Sequence, residues 1–138
     1  MRARAGLFLL VAMSMLTHEA HSQARTSTSS VVGTWQGTSI CLAHPSPCHD
    51  ELVVYHITSA DARDSLTIDA RKIVHGVEEP MGVLGCRFDA ANSTLDCRMP
   101  NGAWKFTVRG DSLTGDLRLP DHTKFRDVRV RRRTGARA

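Results

Sequence analysis

Short segments in which apolar and polar residues alternate recur about every dozen positions in this chain, and they constrain its fold more than any other feature. A period of two places alternate side chains on one face of a β-strand, so each segment is typical of a half-buried strand. Gly, Pro, Asn and Asp residues separate the segments. The pattern predicts eight strands, at residues 31–40, 51–58, 65–74, 77–88, 94–99, 103–109, 112–119 and 124–132.

Four connections between these strands predict which residues face one another. They are a Gly110-Asp111 turn, an Asn101-Gly102 turn, and loops at residues 90–93 and 60–63. The Gly110-Asp111 turn sets Val108 opposite Leu113, and the Asn101-Gly102 turn sets Met99 opposite Trp104. The loop at 90–93 sets Cys86 opposite Cys97, and the loop at 60–63 sets Ile57 opposite Leu66. The apolar residues of successive strands then share one buried face, so the registers support one another.

One strand requires an irregularity. A His75-Gly76 turn directs odd-numbered residues such as Met81 inward, whereas the next stretch requires even-numbered residues from Leu84 onward to face the core. A one-residue shift reconciles the two halves, so we expect a β-bulge at Gly82 or Gly85.

Eight consecutive antiparallel strands of this length are expected to close on themselves, because closure removes the exposed strand edges. The predicted fold is therefore all-β: a single eight-stranded antiparallel up-and-down barrel. A flattened sandwich is the alternative. A barrel of this size is filled by its own side chains or holds one small ligand.

The N-terminal residues have the three-part layout of a secretory signal, with Arg2 and Arg4, an apolar run at 7–16, and small residues up to Ala24. The run is too short to span a bilayer. We expect a signal peptide at 1–24, a flexible leader at 25–30, the barrel domain at 31–133 and a basic tail at 134–138. The protein is accordingly predicted to be secreted or periplasmic.

Positive charge is concentrated at the C terminus, where eight basic and two acidic residues lie from Arg118 onward. A basic C-terminal region could touch anionic surfaces. It lacks the interleaved aromatic residues that single-stranded nucleic-acid grooves use for stacking, so no specific nucleic acid is expected.

The chain contains four cysteines, which in an exported protein predict two disulfides. The register places Cys86 beside Cys97, which leaves Cys41 to pair with Cys48 across a short loop. The alternative is a metal site with thiolate and imidazole ligands from one loop. Its candidate ligands are Cys41, His44, Cys48 and His49. We expect the disulfides, and no metal or cofactor.

Alternate loops of an up-and-down barrel lie at the same end, so one rim carries the loops at 41–50, 75–80, 100–102 and 120–123. Four histidines belong to this rim: His44, His49, His75 and His122. Below the rim, the inward-facing residues predicted to bind a ligand are Leu84, Met99 and Trp104, with Tyr55 deeper. The alternative is that these residues only fill the barrel, and that the histidines are ordinary loop residues and not a metal or pH-sensitive site.

Gly33-Thr34-Trp35 resembles the Gly-x-Trp signature that opens the first strand of lipocalins and related barrels, including the avidins. The resemblance implies structural roles for Gly33 and Trp35. In lipocalins the tryptophan packs across the closed end of the barrel and an arginine from near the chain's end lies against it, which implies that role for Arg131, Arg132 or Arg133. The chain lacks the Thr-Asp-Tyr signature of typical lipocalins. It also resembles periplasmic metalloprotease inhibitors in size, export signal and Gly-x-Trp.

No catalytic motif supports an enzyme: the sequence lacks a Gly-x-Ser-x-Gly elbow, a His-Glu-x-x-His pair and a glycine-rich phosphate loop. We therefore expect a non-catalytic exported binding protein that carries a small apolar molecule in a lipocalin-like barrel. The alternative is a protein-interaction module, such as an inhibitor of an exported hydrolase.

Overall fold

The computed structural model describes residues 27–135, which form a closed barrel of eight antiparallel strands in chain order. The strands are β1 (Gly33–Cys41), β2 (Glu51–Ser59), β3 (Ser65–Val74), β4 (Val77–Asp89), β5 (Thr94–Met99), β6 (Gly102–Arg109), β7 (Ser112–Arg118) and β8 (Lys124–Arg132). A 3₁₀ helix at Thr28–Ser30 precedes them, within the predicted leader. The predicted signal peptide, residues 1–24, lies outside the described residues.

The up-and-down barrel predicted from the alternation is confirmed, and no observed strand boundary differs from its predicted position by more than two residues. Seven residue pairs join β1 to β8, from Trp35 and Arg132 at one end to Cys41 and Arg126 at the other. A flattened sandwich would lack this pairing between the first and last strands.

The seam between β1 and β8 depends on a glycine. A Cβ at Gly37 would collide with the carbonyl oxygen of Arg129 and would lie 2.8 Å from the Cα of Val130. Gly37 pairs with Val130 across this seam. The absence of a side chain therefore permits the close approach that closes the barrel.

The apolar core fills the end of the barrel where β1 begins. Its largest fully buried side chains include Trp35, Ile57, Leu66, Ile68, Leu95, Phe106 and Leu113. The Trp35 indole N–H donates a hydrogen bond of 2.9 Å to the carbonyl oxygen of Val31, so the buried donor is satisfied.

Arg132 covers Trp35 at this closed end. The guanidinium carbon lies 4.3 Å from the centre of the indole ring, and the guanidinium donates hydrogen bonds to the carbonyl oxygens of Val32, at 2.8 Å, and Ser30. A Cβ at Gly33 would lie 2.7 Å from the Arg132 Nη1, so the glycine leaves room for the arginine. Of the three arginines considered for this position, Arg132 is the one that occupies it, whereas Arg131 is exposed.

Two of the four predicted registers are confirmed. Val108 lies opposite Leu113 across the β6–β7 turn. Phe88 lies opposite Leu95 in the β4–β5 pair, the register that places Cys86 beside Cys97.

The other two registers are wrong by two residues. The β5–β6 turn consists of Pro100 and Asn101, so Met99 pairs with Gly102 and not with Trp104. Gly102 is needed in the strand itself, because a Cβ there would collide with the backbone of β7.

The β2–β3 loop also extends further than predicted, through Asp64, which has a left-handed backbone with φ of 59°. As a result Ile57 pairs with Ile68 and not with Leu66. A shift of two residues leaves each side chain on its original face, so both errors leave the inward-facing set unchanged.

The predicted β-bulge in β4 is confirmed. Ala70 of β3 pairs with Gly82 and Arg71 pairs with Pro80, so Met81 is the extra residue. Gly82 has φ of 150°, a conformation that other residues rarely adopt.

Beyond this bulge, the tip of the β3–β4 hairpin lies against the outer face of β1 and β2. Glu78 Oε2 is 2.8 Å from His56 Nε2, and Glu78 Oε1 is 3.6 Å from Arg133 Nη1. The other ring nitrogen of His56, Nδ1, is 3.2 Å from the Thr34 hydroxyl. We attribute the complete burial of Val54, which points away from the barrel interior, to this covering hairpin.

Both predicted disulfides are confirmed. Cys41–Cys48 closes the β1–β2 loop, and Cys86–Cys97 joins β4 to β5. Because the first bridge consumes both sulfurs of its loop, the alternative metal site with thiolate ligands is wrong.

Candidate ligand-binding cavity

A cavity of about 160 Å³ lies inside the barrel at the end opposite Trp35. Three of the four loops predicted to share one rim, at 41–50, 100–102 and 120–123, lie at this end, because the strands run up and down in chain order. The fourth, at 75–80, does not, because the β3–β4 hairpin bends over the outer face of the barrel toward His56 and Arg133. The cavity is lined by Ser39, Glu51, Tyr55, Ala70, Met81, Gly82, Leu84, Met99, Trp104 and Arg126. The barrel is therefore filled at one end and hollow at the other.

All four residues predicted from the sequence as ligand-binding line this cavity: Tyr55, Leu84, Met99 and Trp104. Tyr55 is buried, and the other three are half-buried. The structure thus brings together side chains that come from four different strands.

Phe106 supports the two aromatic side chains of the cavity from below. The Trp104 ring stacks on Phe106 with ring centres 5.5 Å apart, and Tyr55 meets Phe106 edge to face at 6.0 Å. Such contacts hold aromatic rings in a fixed orientation. Because Phe106 is fully buried in the core, the upper end of the core also forms the floor of the cavity.

Three polar residues of the cavity were not predicted. Arg126 Nη1 donates a hydrogen bond of 3.1 Å to the Ser39 hydroxyl and lies 3.7 Å from Glu51 Oε2. The Arg126 side chain is only 14% exposed. The cavity therefore has a polar side, formed by β1, β2 and β8, and an apolar side.

The alternation in β8 does carry a signal for Arg126. Val128 and Val130 are buried core residues, and Arg126 shares their parity, so it must face the barrel interior. The same rule places Glu51 on the face of Val53. Arg126 and Glu51 alternate in phase with the buried apolar residues of their strands, and this signal in the sequence indicates the polar side of the cavity.

Tyr55 lies at the border between the two sides. Burial raises the pKa of its hydroxyl; the nearby Arg126 guanidinium lowers the pKa and Glu51 raises it, both by less. The hydroxyl therefore stays protonated at neutral pH. Within the part of the chain that the structure describes, it has no hydrogen-bond partner, and it borders the cavity.

The four histidines predicted for this rim are exposed side chains in the loops, and His75 belongs to the hairpin tip that bends away from the cavity end. Among the described residues, no three His, Cys, Asp or Glu side chains are placed so that they could hold a metal ion together.

The basic C-terminal region is divided between the two faces of the barrel. Arg126 faces the cavity and Arg132 covers Trp35, whereas Arg129 and Arg131 are exposed. A broader depression of about 940 Å³ spans β5 to β8 and is lined mainly by polar and charged side chains. Several of those charges neutralise one another, as in the pair between Lys124 and Asp127 at 2.6 Å.

Neither a scan against models of known protein families nor a search of curated proteins finds a match for this chain.

In the described part of the chain, no helix has the length and apolar character needed to cross a membrane.

Proposed function

We propose that this chain is a non-catalytic carrier that holds one small, largely apolar molecule in the barrel cavity. One observation supports this above all: Leu84, Met99 and Trp104 line a space inside the barrel and remain half-exposed there. Apolar surface in contact with water costs about 25 cal/mol per Å². A molecule that covers these side chains would recover that free energy, which is how apolar cavities bind their ligands.

The proposal includes a secreted or periplasmic location. Two disulfides in a small domain fit an oxidising compartment, where such bridges persist. The arrangement of Gly33, Trp35 and Arg132 at the closed end supports a lipocalin-like relationship as part of the same proposal.

The experiment is an NMR titration with two neutral probes, benzyl alcohol and hexanol, because chemical shifts detect millimolar affinities. We expect both to shift amide signals of cavity residues in the native protein. Trp104→Ala removes most of one apolar wall and should weaken both affinities. Ala70→Leu adds a side chain to the cavity and should prevent binding by filling the space.

Val83→Ala is the matched control, because Val83 is an exposed apolar residue beside Leu84 on the outer face of β4. It should leave both affinities unchanged. If neither cavity variant changes the binding of either probe, the carrier proposal is wrong and the protein-interaction alternative takes its place.

A further inference from the structure

The polar side of the cavity holds a guanidinium with unused hydrogen-bonding capacity. Arg126 presents five N–H donors, and its two side-chain contacts, with Ser39 and Glu51, both involve Nη1. Within the described residues, Nε and Nη2 have no hydrogen-bond partner. Arg126 borders the cavity, so these donors are available to a molecule inside it.

The Tyr55 hydroxyl adds a second donor on the same side. Tyr55 is 3% exposed, borders the cavity and has no hydrogen-bond partner among the described residues. Among the described residues, no buried side-chain oxygen lacks a hydrogen-bond partner, so this hydroxyl oxygen is accessible from the cavity. The hydroxyl can therefore donate a hydrogen bond to a ligand oxygen in the cavity.

Glu51 is the one carboxylate among the residues that line the cavity. Glu51 is more exposed than Arg126, at 23% against 14% of the side chain, and lies 3.7 Å from Nη1, beyond hydrogen-bond distance. It offsets part of the positive charge and, within the described residues, leaves most of the guanidinium donors without a partner. Arg pairs best with a planar oxyanion that accepts two parallel hydrogen bonds, as a carboxylate does.

The volume limits the rest of the ligand. The cavity holds about 160 Å³, close to an engineered protein cavity of about 150 Å³ that takes up benzene. The apolar side, with Leu84, Met99 and Trp104, therefore has room for one aromatic ring or a chain of about six carbons.

We propose that the molecule carried in the cavity is a small monocarboxylate with an apolar body no larger than about one aromatic ring, and that its carboxylate binds Arg126 and the Tyr55 hydroxyl. This inference rests on the proposed carrier function and specifies its ligand. The ring lies between Trp104 and Leu84, and the carboxylate points toward β8.

The test compares three probes that share a ring and differ in the head group: benzoate, benzyl alcohol and benzylamine at neutral pH. In the native protein we expect benzoate to bind at least about tenfold more tightly than benzyl alcohol, the scale of one hydrogen bond to a charged group. Benzylamine should bind most weakly, because its charge repels that of Arg126.

Two variants change this preference in opposite directions. Arg126→Gln should remove it, so that benzoate binds no better than benzyl alcohol. Glu51→Gln removes the competing carboxylate and should strengthen benzoate binding while leaving benzyl alcohol unchanged. Since Arg126→Gln leaves Glu51 without its partner, the double variant Glu51→Gln/Arg126→Gln repeats the test without an unpaired charge. Arg129→Gln is the charge-matched control, exposed on the same strand.

The outcomes separate the two proposals. Equal binding of benzoate and benzyl alcohol, with both weakened by Trp104→Ala, would refute the carboxylate and keep the carrier. An equal loss of preference in Arg129→Gln would also refute it, because the attraction would then be due to overall charge. Failure of all three probes to bind would overturn both proposals.

Discussion

Replacing Arg132 by methionine tests whether the closed end of the barrel depends on the charge above Trp35. Methionine keeps an apolar side chain over the indole but removes the guanidinium and its two hydrogen bonds to backbone carbonyl oxygens. A partly desolvated cation–π contact contributes about 1–2 kcal/mol. A charge-assisted hydrogen bond contributes about 1.5–3 kcal/mol.

Water weakens two of the contacts that Arg132 makes, the hydrogen bond to Ser30 and an ion pair with Asp111. The carbonyl oxygen of Ser30 is in an exposed residue and can hydrogen-bond to solvent instead. The ion pair with Asp111, at 3.2 Å, involves a carboxylate side chain that is 67% exposed and adds less than about 1 kcal/mol. We therefore expect Arg132→Met to lower the free energy of unfolding by about 3 kcal/mol.

Urea denaturation followed by tryptophan fluorescence measures this change. Arg131→Met is the control, because Arg131 is the neighbouring residue on β8 and is exposed on the opposite face; it should change the free energy of unfolding by less than about 0.5 kcal/mol. Equal effects of the two substitutions would refute the structural role assigned to Arg132.

Three further predictions concern the seam, the cavity and the hairpin. Gly37→Ala should destabilise the barrel by about 3 kcal/mol or more in urea denaturation. Gly85→Ala is the control and should be neutral or slightly stabilising, because an added Cβ there meets nothing within 4 Å. Similar effects of the two substitutions would contradict a tight seam between β1 and β8. Because the folded-state pKa of Tyr55 is raised above its ordinary value, its contribution to stability is complete below about pH 10 and is lost as the pH rises further. Tyrosinate absorbance should therefore increase only as the protein unfolds, and Tyr55→Phe should reduce the alkaline loss of stability; early ionisation in the folded protein would refute this. Glu78→Gln should lower the free energy of unfolding by less than about 1 kcal/mol but speed amide hydrogen exchange at the tip of the β3–β4 hairpin. Glu79→Gln, the control, should change neither quantity. Unchanged exchange in both variants would show that the Glu78 contacts do not hold the hairpin tip.

The fold could be predicted because its determinants are local. Each strand carries its own alternation, and a turn residue such as Gly110 fixes the register of only two neighbours. The bulge near Gly82 was predictable for the same reason, since two halves of one strand demanded opposite parity. Closure of the barrel then followed from the strand count and from the cost of unpaired edges.

One of the two register errors arose where a glycine had a distant partner, and the other arose where Asp64 adopts a left-handed backbone that lengthens the β2–β3 loop. The sequence Asn101-Gly102 favours a hairpin turn, but Gly102 serves a close approach to β7 that depends on three-dimensional packing. The packing of the hairpin tip against His56 was likewise beyond a strand-by-strand interpretation. The direction in which a bulged hairpin bends depends on the twist of the completed barrel.

The apolar side of the cavity could be predicted, and the polar side was missed for a reason that concerns charge. A cluster of arginines suggests an exposed anion-binding surface when only composition is considered. The period of two separates the cluster: even-numbered Arg126 and Arg132 face the interior or the closed end, and odd-numbered Arg129 and Arg131 face solvent. A one-residue slip of β8 would exchange the two sets.

Arg126 and Arg132 lie on the same face of β8 but have different roles. Arg126 and Arg132 are six residues apart, a distance of about 20 Å along a strand, and two buried valines lie between them. The guanidinium at one end is saturated by the indole and by carbonyl oxygens, so it stabilises the fold. The guanidinium at the other end has donors beside the cavity that no described residue accepts from. Such a donor in a partly desolvated site favours an acceptor from outside the protein. Arg132→Met should therefore reduce stability without changing the preference for benzoate, and the double variant Glu51→Gln/Arg126→Gln should remove that preference at nearly unchanged stability.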